Sequence, residues 1–116
     1  MVLCDGVCDA MVLSLFEKMR VGGGSPKWLA RQRRKIEGGV AEMARLVGQR
    51  QWAVGEAFSL GDIAVGTAVG YLSVRFQDLP WRTLHPDLAL FSDRLAQRPS
   101  FKASVPVAQM ISDKVV

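Results

Sequence analysis

The 116-residue sequence carries two cysteines, Cys4 and Cys8, and a single histidine, His85. So few soft donors cannot assemble a four-ligand zinc set in one chain, and no metal site is expected. Nor is a disulfide needed, because a chain of this length buries enough surface to be held by its own core. The two thiols stand four residues apart. On a helix that places them on one face, where a bridge would strain disulfide geometry, so both are expected as free thiols, buried or half-buried. Long uncharged apolar runs are also missing. No basic stretch followed by such a run opens the chain, so a secretory signal is not expected and a cytoplasmic location is. Repeats and low-complexity segments are absent as well. One domain over residues 1–111 with a frayed tail over 112–116 follows.

What is present is ordinary for a globular domain: 49% hydrophobic residues, 22% charged ones and a net charge of +4. Nowhere does the apolar pattern alternate with a period of two. Each segment instead shows helical spacing, which predicts an all-α bundle of four main helices near 2–20, 26–48, 59–75 and 86–97, with a short one after Pro99. In the first, Leu3, Cys4, Val7, Cys8, Met11, Val12, Leu15, Phe16 and Met19 cover more than half the circumference. Such a helix has two sides to bury, one in its own core and one against another domain or subunit. Asp5, Asp9 and Arg20 occupy the remaining arc.

The segment Phe58-Ser59-Leu60-Gly61-Asp62-Ile63 is the most informative local signal. Ser59 followed three residues later by Asp62 has the form of a capping box, and Phe58 with Ile63 that of a hydrophobic staple. Asp62 is therefore expected to be a structural cap and not a catalytic carboxylate. The helix that follows is apolar nearly all round and too short for the roughly 20 residues a bilayer needs, so it is expected as the buried centre of the domain. Gly66 and Gly70 within it would let a neighbouring helix approach closely.

The second helix opens with Ser25-Pro26, a cap residue and a proline at the first helical position. Leu29, Ile36, Val40, Met43 and Val47 form its stripe. Its interior pair Gly38-Gly39 reflects either tight packing on the first helix or simple tolerance. Lys27, Arg31, Arg33, Arg34 and Lys35 raise nucleic-acid binding as a reading. No stacking aromatics interleave with them and they fall on several sides, so a solvated face is preferred. Further on, Arg75 to Trp81 reads as irregular, with aromatics that seal the end of the core. His85 reads as a residue just outside the helix that starts at Pro86.

Taken together these residues resemble a family. Trp52 with Gly55, Phe58 through Ala64, Trp81 with His85-Pro86-Asp87-Leu88, Arg94-Leu95 and Arg98-Pro99-Ser100-Phe101 are similar to the all-helical C-terminal domain of bacterial cytosolic glutathione S-transferases. Asp5 through Ala10, with Val69-Gly70-Tyr71-Leu72, resembles a transferase-like bacterial subgroup. The resemblance implies a domain that walls the electrophile pocket and makes half of a dimer contact through its first two helices, with glutathione as co-substrate of the full-length enzyme. In such enzymes a preceding thioredoxin-like domain supplies the thiol-activating residue and the loop that holds glutathione. Nothing in this sequence matches that domain, and Met1 falls inside the first helix, so no catalytic or cofactor-binding residue is expected in the chain. Carried over by position, Asp5, Gly6 and Asp9 lie near the electrophile pocket; alternatively they are only the polar arc of the first helix. The competing reading is a stand-alone helical interaction or dimerisation module.

Overall fold

The computed structural model describes residues 1–111. The expected fraying of 112–116 lies outside the described residues. Among the described residues six helices follow one another: α1 (Val2–Lys18), α2 (Pro26–Val47), α3 (Leu60–Arg75), α4 (Trp81–Leu84), α5 (Pro86–Ala96) and α6 (Pro99–Ala103). No strand is present among the described residues. The bundle is all-α, as its periodicity required.

α1 and α2 form an antiparallel hairpin that makes the largest contact in the molecule. Its turn holds Gly22, Gly23 and Gly24 at positive φ, and a Cβ at Gly24 would collide with the backbone oxygen of Glu17. The Glu17 carboxylate accepts a hydrogen bond from the Ser25 N–H at 3.0 Å, and the Ser25 hydroxyl accepts from the Trp28 N–H at 3.3 Å. α1 therefore stops at Lys18, two residues before the expected end, because the turn needs the residues between.

α1 also packs on α3, α2 on α5, and α3 on α5, so the four long helices close a ring around the core. Met11, Ile36, Val40, Met43, Val69, Leu72, Leu88 and Phe91 fill it, each at most 1% exposed. Gly39 lies at the α1–α2 crossing, where a Cβ would strike Val7, whereas Gly38 faces open space. Of the two explanations for that glycine pair, close packing holds at Gly39 and tolerance at Gly38.

Three expectations need correction. α3 is one wall of the ring and not an enclosed centre, since Leu60 and Ile63 are 64% and 41% exposed. Phe58 packs edge-on to Trp52 with ring centroids 6.0 Å apart and lies under the Arg98 guanidinium, while Ile63 faces outward in place of the expected staple. The stretch after Arg75 also contains a helix that periodicity could not reveal, the single turn α4. Pro80 precedes it, and Trp81 buries its ring while its indole N–H donates to the Ser73 hydroxyl at 3.1 Å. With Phe76 and Leu79, also buried, Trp81 does seal that end of the core.

Candidate functional site

A groove of about 630 Å³ opens between α1, α3, α5 and the segment from α6 onward, within the 300–1,000 Å³ usual for small-molecule sites. Gly66 and Gly70 form part of its floor, one turn apart on α3. A Cβ on Gly66 would come within 2.5 Å of the Phe101 ring, so this glycine admits α6, as its spacing suggested. Pro106 passes over Gly70, leaving 3.5 Å to a Cβ built there. Farther along, the Arg75 guanidinium donates to the Gln109 carbonyl at 3.1 Å and ties the chain after α6 to the end of α3. Most of the lining is apolar; Thr67, Tyr71, Ser92 and Lys102 bring the polar groups that could orient a ligand.

From α1 the groove takes Cys8 and Val12. Asp5, Gly6 and Asp9 stand on the exposed arc of the same helix and are not among the lining residues. Helical spacing brings them into line with Val12, Leu13 and Phe16, which are 39%, 50% and 41% exposed. Half of the first helix thus remains uncovered, in keeping with its two apolar sides. Cys4 and Cys8 are both free thiols, one buried and one half-buried. Burial is the main cause that pushes both above the ordinary thiol range, and at Cys8 the negative charges of Asp5 and Asp9 add to it. Burial and the neighbouring charges thus disfavour the thiolate, the nucleophilic form, at Cys8 in the groove wall.

Asp62 is fully buried and its carboxylate is spent on structure. Oδ2 accepts from the Ser59 N–H at 2.8 Å and from the Ser59 hydroxyl at 3.2 Å, while the Ser59 oxygen accepts from the Gly61 N–H at 3.2 Å. The capping box is formed. Spacing alone did not reveal that Oδ1 also accepts from the Ala53 N–H at 2.8 Å, which anchors the preceding loop to the start of α3. Of the basic residues on α2, Arg33 is held by Glu37 at 2.7 Å and Asp78 at 2.8 Å, while Lys27, Arg31, Arg34 and Lys35 are exposed. Among the described residues no cluster of three or more histidine, cysteine or acidic side chains could hold a metal ion.

Residues 26–94 match the family model described as Glutathione S-transferase, C-terminal domain. The chain belongs to that family. A solved glutathione S-transferase from Methylobacterium radiotolerans, in complex with glutathione sulfonate, is 66% identical over 99% of this chain, with a TM-score of 0.93. One from Methylobacillus flagellatus with glutathione bound is 40% identical over 90% of the chain, with a TM-score of 0.86. A glutathione transferase family member from Pseudomonas fluorescens, with S-(propanoic acid)-glutathione bound, is 34% identical over 92% of the chain, with a TM-score of 0.81. The glutathione S-transferase C-terminal domain described here spans only about half of those chains, at 55%, 52% and 54%. No match was found among curated proteins. No helix among the described residues of this transferase domain is long and apolar enough to cross a membrane.

Proposed function

We propose that residues 1–111 act as one unit, the electrophile-binding half of a cytoplasmic glutathione-conjugating enzyme, with glutathione held by residues outside this sequence. The observation that carries this reading is the 630 Å³ groove, whose apolar walls and few hydroxyls suit a hydrophobic electrophile. Conjugation also demands a group that lowers the glutathione thiol's pKa, a role for which neither Cys8 nor the spent carboxylate of Asp62 is suited. The solved relatives, nearly twice as long, carry glutathione or its derivatives. In this reading Asp5, Gly6 and Asp9 form the outer rim of the electrophile pocket. The uncovered apolar arc of α1, with Val12, Leu13 and Phe16, supports a second contact, made through α1 and α2 with another subunit or with the glutathione-binding half.

The test is to join this chain to the glutathione-binding half of the Methylobacterium relative and to assay conjugation of an aromatic electrophile. The joined protein is expected to conjugate and the 116-residue chain alone is not. Tyr71→Ala and Thr67→Trp in the joined protein are expected to shift the KM for the electrophile and leave that for glutathione unchanged. Conjugation by the isolated chain, or groove variants that change only the glutathione KM, would overturn the assignment.

A further inference from the structure

A second, smaller cleft of about 160 Å³ lies where the loop before α3 meets the end of α5, lined by Gln51, Trp52, Arg94, Leu95 and Arg98. That is roughly five times the ~30 Å³ share of a water molecule in the liquid, room for one small ion with a little water. Its two guanidinium groups are four residues apart across the end of α5, yet neither forms an ion pair among the described residues. Arg94 donates one hydrogen bond, to the neutral carbonyl of Arg50 at 2.8 Å, which leaves its other N–H groups free of protein acceptors. The Arg98 guanidinium carbon sits over the Phe58 ring, 3.5 Å from its centroid, and Phe58 in turn stands edge-on to Trp52. A stacked guanidinium has its face occupied and its N–H edges available in plane. The buried Nε of Arg98 has no acceptor among the described residues. Glu56 is the one carboxylate on the loop from 48 to 58, and it pairs with neither arginine.

We propose that this cleft binds a small oxyanion, a phosphate or sulfate group, between Arg94 and Arg98 beside Trp52 and Gln51. Two like charges that line one cleft without a counter-ion repel one another, and an oxyanion seated between them would remove that repulsion while it accepts from both forks. The forks are fixed in advance by the Arg50 carbonyl and the Phe58 ring, so little side-chain freedom is lost on binding. The Gln51 amide adds a neutral donor. The anion would come either as a free ion or as the terminal group of a larger molecule.

The experiment follows the Trp52 indole N–H and the arginine Nε–H groups by NMR while the full chain is titrated with inorganic phosphate at constant ionic strength. Chloride serves as the comparison, phenyl phosphate as the second probe, and Trp52→Phe identifies the indole signal. A saturable shift at Trp52, weakened at least tenfold in both Arg94→Gln and Arg98→Gln, is expected. Tighter binding of phenyl phosphate would support an esterified group, and equal binding would support the free ion. Arg94→Gln alone decides if Arg98→Gln does not fold, because the Arg94 side chain is exposed and bonds one carbonyl. A shift that does not saturate, that chloride reproduces, that survives Arg94→Gln, or that appears equally at the exposed Arg31 and Arg34 would mean an adventitious ion only and would overturn the proposal.

Discussion

Alanine in place of Gly39 puts a methyl group against Val7, which is 3% exposed and sits across the α1–α2 crossing. Val7 cannot swing aside at low cost, because a β-branched residue in a helix has one strongly preferred χ1 rotamer. The two helices must part or the valine must leave its rotamer, a cost at the upper end of overpacking, about 3 kcal/mol. Alanine returns about 1 kcal/mol of helix propensity, so the net loss is about 2 kcal/mol. Gly38, one residue earlier, has nothing within 4 Å of its would-be Cβ. There the same substitution keeps the propensity gain and stabilises by about 1 kcal/mol. At about 4 °C per kcal/mol for a domain of this size, Gly39→Ala lowers Tm by about 8 °C and Gly38→Ala raises it by about 4 °C. Thermal and urea unfolding of the two variants measure the difference, and Val7→Ala in the Gly39→Ala background should recover much of the loss as a coupling energy. Equal effects at the two glycines, or no coupling to Val7, would refute the close packing of α1 on α2.

Asp62→Ala should cost about 2–4 kcal/mol, more than a lost cap alone, because it strands the N–H groups of both Ala53 and Ser59; urea unfolding measures it, and a loss under 1 kcal/mol would contradict the buried network. The thiol pKa values of Cys4 and Cys8 are raised by burial, so their contribution to stability is full below the unfolded thiol's value of about 8.5 and is lost as pH climbs through the folded values. Iodoacetamide at pH 9 should therefore label both far more slowly in the native chain than in urea. Asp78 is held below the usual carboxylate range by the Arg33 side chain that donates to it, so its contribution is present above the unfolded value and fades as pH falls through the folded one. The pair is 73% exposed on the aspartate side, so Arg33→Gln should cost no more than about 1 kcal/mol, with the loss shrinking in high salt during thermal unfolding.

Much of this architecture was legible because its causes are local. The Ser59–Asp62 cap, the Ser25-Pro26 start and the 3.6-residue stripes each depend on a few neighbouring residues, and each lies where its pattern put it. α4 escaped because a single turn has no period to read, and Phe58 chose Trp52 and Arg98 over Ile63 because that choice depends on how the loop before α3 meets the end of α5. The groove was the hardest part to foresee. Its lining comes from α1, α3, α5 and the segment past α6; Cys8, Gly70, Tyr71 and Phe101 belong to segments that carry the family resemblance, but nothing in their spacing says that these elements meet around one groove.

The hydrogen bond from the Ala53 N–H to Asp62 closes a ring of fixed circumference, since its two ends are nine residues apart. Surface loops generally absorb inserted residues at small cost. This one is different in that both ends of the ring are pinned by the same carboxylate, which also fixes Ser59. An extra residue between Val54 and Phe58 would have to bulge outward or pull the donor off its acceptor, and in the second case the rings of Trp52 and Phe58 would move together. Length variation among related chains should therefore collect in the α1–α2 turn, and this segment should keep its residue count even where its side chains change.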